Sequence, residues 1–181
     1  MDAGLLARAR LGDEAAFLTL YQRYRTPAFR FAWRLTASSA AAEDIVQECF
    51  LALLGRDAFD ARQGLLRTYL FGIVRHLAWK RSRLIERETD EIDDCTGEAD
   101  PLRDLLESER AGMVERAVAA LPLLQREALV LFEYEELSLE EIAAITGADV
   151  GAVKSRLYRA RESLRRRLAP LLAPCREGSC G

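Results

Sequence analysis

Positive charge is concentrated near the carboxyl end of the chain. From Lys154 to Arg167 the sequence holds one lysine and six arginines but a single acidic residue, Glu162. The 181-residue chain as a whole has a net charge of -3, so this stretch departs from the overall balance. Clustered lysine and arginine side chains neutralise the phosphates of a nucleic-acid backbone. The chemistry that this stretch favours is therefore the binding of a polyanion.

The residues before and within this stretch predict a short helix, a turn and a longer helix. Ser138 can cap the helix SLEEIAAIT while Glu141 reaches back to the cap, which satisfies two free backbone N–H groups. Gly147 can end this helix, because glycine readily adopts the left-handed conformation found at helix C-termini. Asp149 can cap a second helix that begins near residue 150. The apolar residues of that helix share one stripe: Val153, Leu157, Ala160, Leu164 and Leu168. This combination predicts a helix-turn-helix.

The basic residues of the second helix lie off the apolar stripe. In a helix-turn-helix the N-terminal part of this helix meets the base edges in the major groove, and the small residues Gly151 and Ala152 permit a close approach. The side chains that can reach bases or phosphates are Lys154, Ser155, Arg156 and Arg159. The alternative is that these residues form an ordinary solvent-exposed face. The caps, the turn, the apolar stripe and the basic charge together favour the binding of duplex DNA.

The acidic charge lies in the middle of the chain. Residues 86–110 carry 3 basic and 11 acidic residues, whereas residues 1–85 carry 13 basic and 8 acidic ones. With Gly97 and Pro101 as helix breakers, the early part of this segment predicts a flexible linker that is extended by self-repulsion. It is either a solubilising spacer or a competitor of DNA for the basic faces.

The composition predicts an all-α fold, because Ala, Leu, Arg and Glu dominate the chain. We expect two small helical domains, at 1–85 and 108–172, joined by the acidic linker 86–107 and followed by a tail at 173–181. No apolar run approaches the roughly 18 residues that a membrane span needs, and the N-terminus lacks the apolar core of a signal peptide. A cytoplasmic protein without membrane insertion is therefore expected.

The segment SSAAAEDIVQECFLALL predicts a helix with two different faces. Its core face holds Ala42, Val46, Cys49, Phe50 and Leu53. The opposite face holds three polar residues and one leucine: Asp44, Gln47, Glu48 and Leu51. On these residues alone, this second face is either ordinary surface or a small docking patch.

The next helical segment interleaves basic and aromatic residues around an apolar stripe. The basic residues and the histidine are Arg67, Arg75, His76, Lys80, Arg81 and Arg83, and the aromatic residues are Tyr69, Phe71 and Trp79. Aromatic rings can stack on unpaired bases for ~1–3 kcal/mol each while cations follow the backbone. The competing interpretation is that most of these rings pack in the core of a small helical domain.

Three segments match, in order, the regions of one known family. GDEAAFLTLYQRY, AEDIVQECFLALL and LSLEEIAAITGADVGAVKSRLYRARESLRRRL are similar to regions 2.1, 2.2 and 4.2 of the extracytoplasmic-function (ECF) sigma factors, a class of the sigma-70 family. The resemblance covers about residues 5–170. It implies a sigma-2 helical bundle followed by a sigma-4 helix-turn-helix domain. It also implies that the protein is not an enzyme and needs no cofactor, because the polymerase performs the nucleotidyl transfer.

The resemblance implies three binding surfaces. The contact with the clamp helices of the polymerase β′ subunit falls on Asp44, Gln47, Glu48 and Leu51. The surface for the duplex -35 element falls on Arg126, Gly151, Ala152, Lys154, Ser155, Arg156 and Arg159. The surface for the unpaired -10 element falls on Phe59, Arg62, Gln63, Tyr69, His76, Trp79 and Lys80. The implied partners are core RNA polymerase, through β′ and the β flap, promoter DNA and an anti-sigma factor.

The expected activity is that of an alternative sigma factor which binds both promoter elements and promotes DNA melting, in a stress or an envelope or metal response. Alone, we expect it to bind promoter DNA poorly, because free domain motion leaves the two DNA sites unaligned. The main rival is a dimeric helix-turn-helix regulator with an N-terminal sensor domain, which would bind a symmetric operator. An enzyme with an appended DNA-binding domain is a third reading, but the sequence offers no nucleophile–base pair to support it.

Three cysteines lie in the predicted linker and tail: Cys95, Cys175 and Cys180. Some members of the family carry regulatory cysteines in these places, so the resemblance allows a metal or redox switch. The C-x4-C spacing of the tail is not a strong zinc pattern, and three thiols are few for a tetrahedral site. Incidental thiols and a regulatory role both stay open, and no metal site is predicted.

Overall fold

The protein is described by a computed structural model that covers residues 2–55, 59–60, 64–88 and 105–172. Within these ranges the chain forms helices and no strand. The helices are α1 (Asp2–Arg10), α2 (Glu14–Thr36), α3 (Ser39–Gly55), α4 (Leu66–Glu88), α5 (Leu105–Ala119), α6 (Leu123–Glu133), α7 (Leu139–Thr146) and α8 (Val150–Leu172). The prediction of an all-α fold is confirmed.

Helices α1 to α4 pack into an N-terminal unit. Its centre is an edge-to-face pair of fully buried rings, Phe31 and Phe71, whose centroids are 5.4 Å apart. Phe71 is therefore a core residue, as the competing interpretation of the aromatic residues held. Helix α2 runs through Pro27 without a break, although the missing N–H and the ring of proline usually disturb a helix interior.

The predicted core face of α3 is confirmed, because all five of its apolar residues are buried. The α3 helix is capped by Ser38, whose hydroxyl accepts a hydrogen bond from the Ala41 N–H at 3.2 Å. The opposite face is exposed along its length. The helical spacing of apolar and polar residues in this segment therefore correctly predicted which face of α3 is buried.

Helices α5 to α8 form a C-terminal unit whose centre is the helix-turn-helix of α7 and α8. Ser138 accepts a bond from the Glu141 N–H at 3.2 Å, and the Glu141 carboxylate accepts one from the Ser138 N–H at 2.9 Å. Gly147 adopts a left-handed φ of 65°. Asp149 accepts a bond from the Ala152 N–H at 2.8 Å. All the predicted caps are confirmed, and Val153, Leu157 and Ala160 are buried along the predicted stripe.

Replacement of the α7 cap should destabilise the protein measurably. Ser138→Ala removes the acceptor for the Glu141 N–H, so we expect a loss of about 1 kcal/mol in the free energy of unfolding. Urea titration followed by circular dichroism measures it. Thr19→Ala is the matched control, because the Thr19 hydroxyl also bonds a backbone group but lies inside α2 and caps no helix end, so the loss should stay within ~0.5 kcal/mol. Equal losses in the two variants would contradict the assignment of the cap.

The N-terminal and C-terminal units lie against each other. Helix α4 packs on α7, and α2 packs on α6. No sequence pattern indicated this interface, and the expectation that the free protein binds promoter DNA poorly stays a prediction. Among the described helices, none combines the length and the apolar character needed to cross a bilayer.

Candidate nucleic-acid interface

The first turns of α8 present an open basic face. Gly151, Lys154, Ser155 and Arg159 are all exposed there. A β-carbon at position 151 would lie 3.0 Å from the Asp149 carboxylate oxygen that caps the helix. Glycine at this position therefore avoids crowding the cap and still permits a close approach of the helix to DNA. Exposed cations beside small residues at the start of the second helix agree with the prediction of a helix-turn-helix, in which this part of the helix meets the major groove.

Two residues that were predicted for the same surface point elsewhere in this conformation. The guanidinium of Arg156 lies 3.5 Å from the carboxylate of Glu127. Arg126 donates to the carbonyl oxygens of Leu121 at 3.0 Å and of Leu35 at 3.3 Å, and burial lowers its pKa. Their contacts with DNA stay predictions, and each would need these bonds to be released.

Sequence reasoning missed an exposed groove beside the basic face. It has a volume of about 410 Å³ and lies between the end of α6 and the outer side of α8. Tyr158, with 71% of its surface exposed, borders the groove together with Phe132. Arg161 crosses it to pair with Glu133 at 2.7 Å. The sequence feature that could have indicated this groove is Tyr158, an aromatic residue that lies off the apolar stripe of the basic helix α8.

Three of the residues predicted for the -10 element, Phe59, Tyr69 and His76, line a second cavity. Phe59 stacks at a tilt on Tyr69, with their centroids 5.4 Å apart. These rings and His76 line a cavity of about 450 Å³ between α4 and α7. His76 and Lys80 are exposed. Arg62 and Gln63 lie outside the described residues.

Trp79, the remaining residue of this set, contacts the C-terminal unit. Its indole N–H donates to the Glu127 carboxylate at 3.0 Å. Arg75 donates to the same carboxylate at 2.8 and 3.3 Å. Glu127 is fully buried, and sequence reasoning missed it, because its partners in α4 lie about fifty positions away along the chain.

The polar face of α3 forms a compact exposed patch on the N-terminal unit. Asp44, Gln47, Glu48 and Leu51 are all exposed, and the leucine keeps 69% of its surface accessible. Arg81 of α4 holds the two acids, at 2.8 Å from Glu48 and 3.6 Å from Asp44. An apolar side chain beside fixed carboxylates is a suitable surface for a protein partner.

The cysteines provide no site in the described part of the chain. Cys95, Cys175 and Cys180 lie outside the described residues. Cys49 is buried in the core of the N-terminal unit, and desolvation raises the pKa of its thiol to about 12. Such a thiol is unreactive at neutral pH. The described residues contain no group of three or more side chains that could hold a metal ion.

Comparisons with known proteins identify the family of this chain. The family model for Sigma-70 region 2 matches residues 20–88, and the model for Sigma-70, region 4 matches residues 111–164. The ECF RNA polymerase sigma-E factor of Escherichia coli K12 is 31% identical over 185 residues, with 94% of this chain and 96% of the relative covered. This chain belongs to the ECF sigma factors. The resemblance seen in the sequence is therefore confirmed. Sigma factors are DNA-binding transcription initiation factors.

Further relatives agree with this assignment. The RNA polymerase sigma-H factor of Pseudomonas aeruginosa is 30% identical over 184 residues, which cover 94% of this sigma factor and 95% of the relative. The sigma factor RpoE of Bartonella quintana, solved with the anti-sigma factor NepR, superposes with a TM-score of 0.72 at 28% identity, over 84% of this chain and 96% of that one. CnrH, solved with the cytosolic domain of CnrY, gives 0.70 at 27% identity, over 93% and 97%.

Proposed function

We propose that this sigma factor directs core RNA polymerase to promoters through three separate surfaces. Helix α8 binds the -35 element as duplex, the α4 surface traps unpaired bases of the -10 element, and the α3 patch docks on polymerase. The observation that carries the proposal is the order of the two family matches along one chain, region 2 before region 4. A regulator with an unrelated sensor domain would match only the second.

The proposed -35 contact rests on the exposed start of α8. Lys154, Ser155 and Arg159 point to solvent there, beside Gly151 and Ala152. Phosphate contacts fix the position of a helix on DNA, whereas contacts with base edges supply the sequence preference. Lys154 and Ser155 are placed for bases, and Arg159, further along the helix, for phosphate.

The proposed -10 contact rests on the ring pair of Phe59 and Tyr69. Stacking an extruded base on an aromatic face offsets part of the cost of unpairing it. Lys80, which is exposed about three turns further along α4, can hold a phosphate of the same strand. Binding that is stronger for the melted than for the paired strand shifts the promoter towards the open form without any catalytic group on the sigma factor.

The proposed polymerase contact is the α3 patch, which would meet the clamp helices of the β′ subunit, while the C-terminal unit meets the β flap. Two modest contacts on one enzyme gain from being joined in one chain. The α3 patch supports this role because its leucine is exposed and its two acids are held in place by Arg81.

Control of this sigma factor by an anti-sigma factor is also proposed. The support is that a similar sigma factor, RpoE of Bartonella quintana, was solved with the anti-sigma factor NepR. CnrH, which is also similar to this chain, was solved with the cytosolic domain of CnrY. A cytoplasmic location, with retention at the inner membrane through such a partner, and induction by a stress or an envelope or metal signal complete the proposal.

Run-off transcription with purified core RNA polymerase tests the central claim. Genomic fragments serve as templates, and core polymerase without the sigma factor is the control. The proposal expects new transcript start sites that depend on the added protein. A symmetric operator bound by a dimer, with no polymerase association and no new start site, would support the rival regulator and overturn the proposal.

The phosphate role of Arg159 has a specific signature. Arg159→Gln should weaken binding of duplex -35 DNA by the holoenzyme at all sequences, and should reduce the slope of log affinity against log salt by about 1. Fluorescence anisotropy over a salt series measures the slope. Arg8→Gln is the control, since Arg8 pairs with Asp13 in the N-terminal unit and should leave the slope unchanged. An unchanged slope for Arg159→Gln would remove that residue from the phosphate contacts.

A further inference from the structure

Helix α1 belongs to none of the three proposed surfaces, yet one of its side chains bonds the end of α3. We infer that Arg10 is a positioning residue for the -10 surface: it stabilises the last turn of α3 and so fixes the point from which the chain runs on to Phe59. The inference rests on the proposed function for its consequence at the -10 element. Its structural part, the cap at the end of α3, can be tested without polymerase or DNA.

The guanidinium of Arg10 donates two hydrogen bonds to one backbone carbonyl, that of Leu53. Its Nε lies 3.2 Å and its Nη2 3.0 Å from this oxygen. Leu53 is buried and Arg10 is half-buried, so water competes only in part for the carbonyl. A hydrogen bond from a charged donor is stronger than one between neutral groups. The contact therefore holds α1 and the end of α3 in a defined arrangement.

The end of α3 has no cation of its own. The last four carbonyl groups of a helix lack a partner inside the helix, and Leu53 is among the last four residues of α3 (Ser39–Gly55). The negative end of the helix dipole favours a positive charge at this place, but the last turn of α3 contains no basic residue. The cation that this helix end favours is therefore supplied by α1.

Helix α1 is anchored at both ends and can serve as a support. With nine residues it is too short to be stable alone in water, so its position depends on contacts with α2. At its start, the Asp2 carboxylate pairs with Arg23 and accepts a bond from the Tyr24 hydroxyl at 2.5 Å. Near its end, Arg8 lies 2.6 Å from Asp13, the cap residue of α2. The backbone from which the capping side chain extends is therefore fixed.

The end of α3 limits the position of one of the two rings at the -10 surface. Tyr69 is placed by the first turn of α4, whereas Phe59 lies outside the helices, four positions after the end of α3. Four residues span at most about 14 Å, and loss of the last helical turn would move the end of α3 back by about 5 Å. The stack of the two rings, with centroids 5.4 Å apart, therefore depends on where α3 ends.

Arg10→Gln should weaken capture of the unpaired -10 strand, because glutamine is shorter and brings no positive charge to the helix end. The probe is a labelled single-stranded oligonucleotide with the -10 sequence of a start site found by run-off transcription. We expect its affinity for holoenzyme, assembled with saturating core polymerase, to fall about fivefold in fluorescence anisotropy. Arg10→Lys keeps the cation and should stay within about twofold of wild type. Affinity for duplex -35 DNA should not change, because α8 belongs to the other unit.

A double-mutant cycle shows whether Arg10 acts through the ring. Phe59→Ala alone should weaken binding of the strand, because it removes a stacking surface. Adding Arg10→Gln to Phe59→Ala should cause no further loss, since the effects of residues that act as one unit do not add. General destabilisation of the N-terminal unit would instead lower the affinity by the same factor in both backgrounds. Arg8→Gln is the control on the same helix, because it loses the pair with Asp13 but keeps the bond to Leu53, and it should match wild type.

Hydrogen exchange followed by NMR tests the cap in the free protein. Arg10→Gln should raise the exchange rates of the Leu54 and Gly55 amides at least about threefold, whereas Arg8→Gln should leave them unchanged. Unchanged rates in Arg10→Gln would overturn the cap and the inference with it. Faster exchange with wild-type affinity for the strand, or an equal loss in both Phe59 backgrounds, would overturn the positioning role. If exchange rises but the wild-type protein produces no new start site, the cap stands and the proposed function fails.

Discussion

Glu127→Ala should lower the free energy of unfolding by about 3 kcal/mol, the lower end of the range for removing one partner of a buried ion pair. The side chains of Arg75 and Arg156 keep 22% and 23% of their surface exposed, so water relieves part of the penalty once they lose the carboxylate. The indole N–H of Trp79 loses its acceptor as well. Urea unfolding followed by far-UV circular dichroism measures the change.

Glu133→Ala is the matched control for this prediction. Glu133 lies on the same helix and pairs with an arginine of α8, but both side chains are nearly half exposed. An exposed pair contributes little because of solvent screening and side-chain entropy, so its loss should stay within ~0.5 kcal/mol. A loss below about 1 kcal/mol for Glu127→Ala would show that this carboxylate does not hold a buried network.

The sequence predicted the elements whose determinants are local. The caps of Ser138, Glu141 and Asp149 act within three residues of the groups they bond, and apolar spacing fixed which face of α3 is buried. Such signals depend on backbone geometry inside one turn of helix. They hold whether or not the rest of the fold is known.

The interface escaped prediction because its determinants are not local. Glu127 stands in the apolar run REALVLF, where an acid suggests an exposed position, yet it is fully buried. Arg126 beside it was expected at a DNA phosphate, but in this conformation it bonds carbonyl oxygens more than ninety positions away. A charge pattern shows which groups need partners, and only the packing of helices decides which partners they receive.

The same limit explains the basic helix α4. Interleaved cations and rings left two interpretations open, a platform for a single strand and packing in the core, and three-dimensional packing divides the side chains between these roles. Phe71 enters the core, Arg67 and Arg75 turn to the C-terminal unit, and Tyr69 stays beside Phe59. Composition supplied the correct chemistry for this helix, whereas the assignment of each side chain to a partner required the opposing surface.

The α3 patch provides the second large prediction. Leu51→Ala should weaken binding of the sigma factor to core RNA polymerase by roughly 30-fold, which corresponds to about 2 kcal/mol for an apolar anchor at the centre of an interface. Because Leu51 is 69% exposed, its replacement should leave the stability of the free protein unchanged. Titration of labelled sigma factor with core enzyme measures the affinity.

Leu11→Ala tests whether this effect belongs to the patch. Leu11 is 89% exposed, in the turn between α1 and α2, and should leave the affinity unchanged. Glu48→Gln should slow association more than it speeds dissociation, since a charge at the rim of an interface acts mainly by steering. If Leu51→Ala binds core enzyme as tightly as wild type while run-off transcription persists, polymerase must hold this sigma factor through another surface, and the groove beside Tyr158 becomes the next to test.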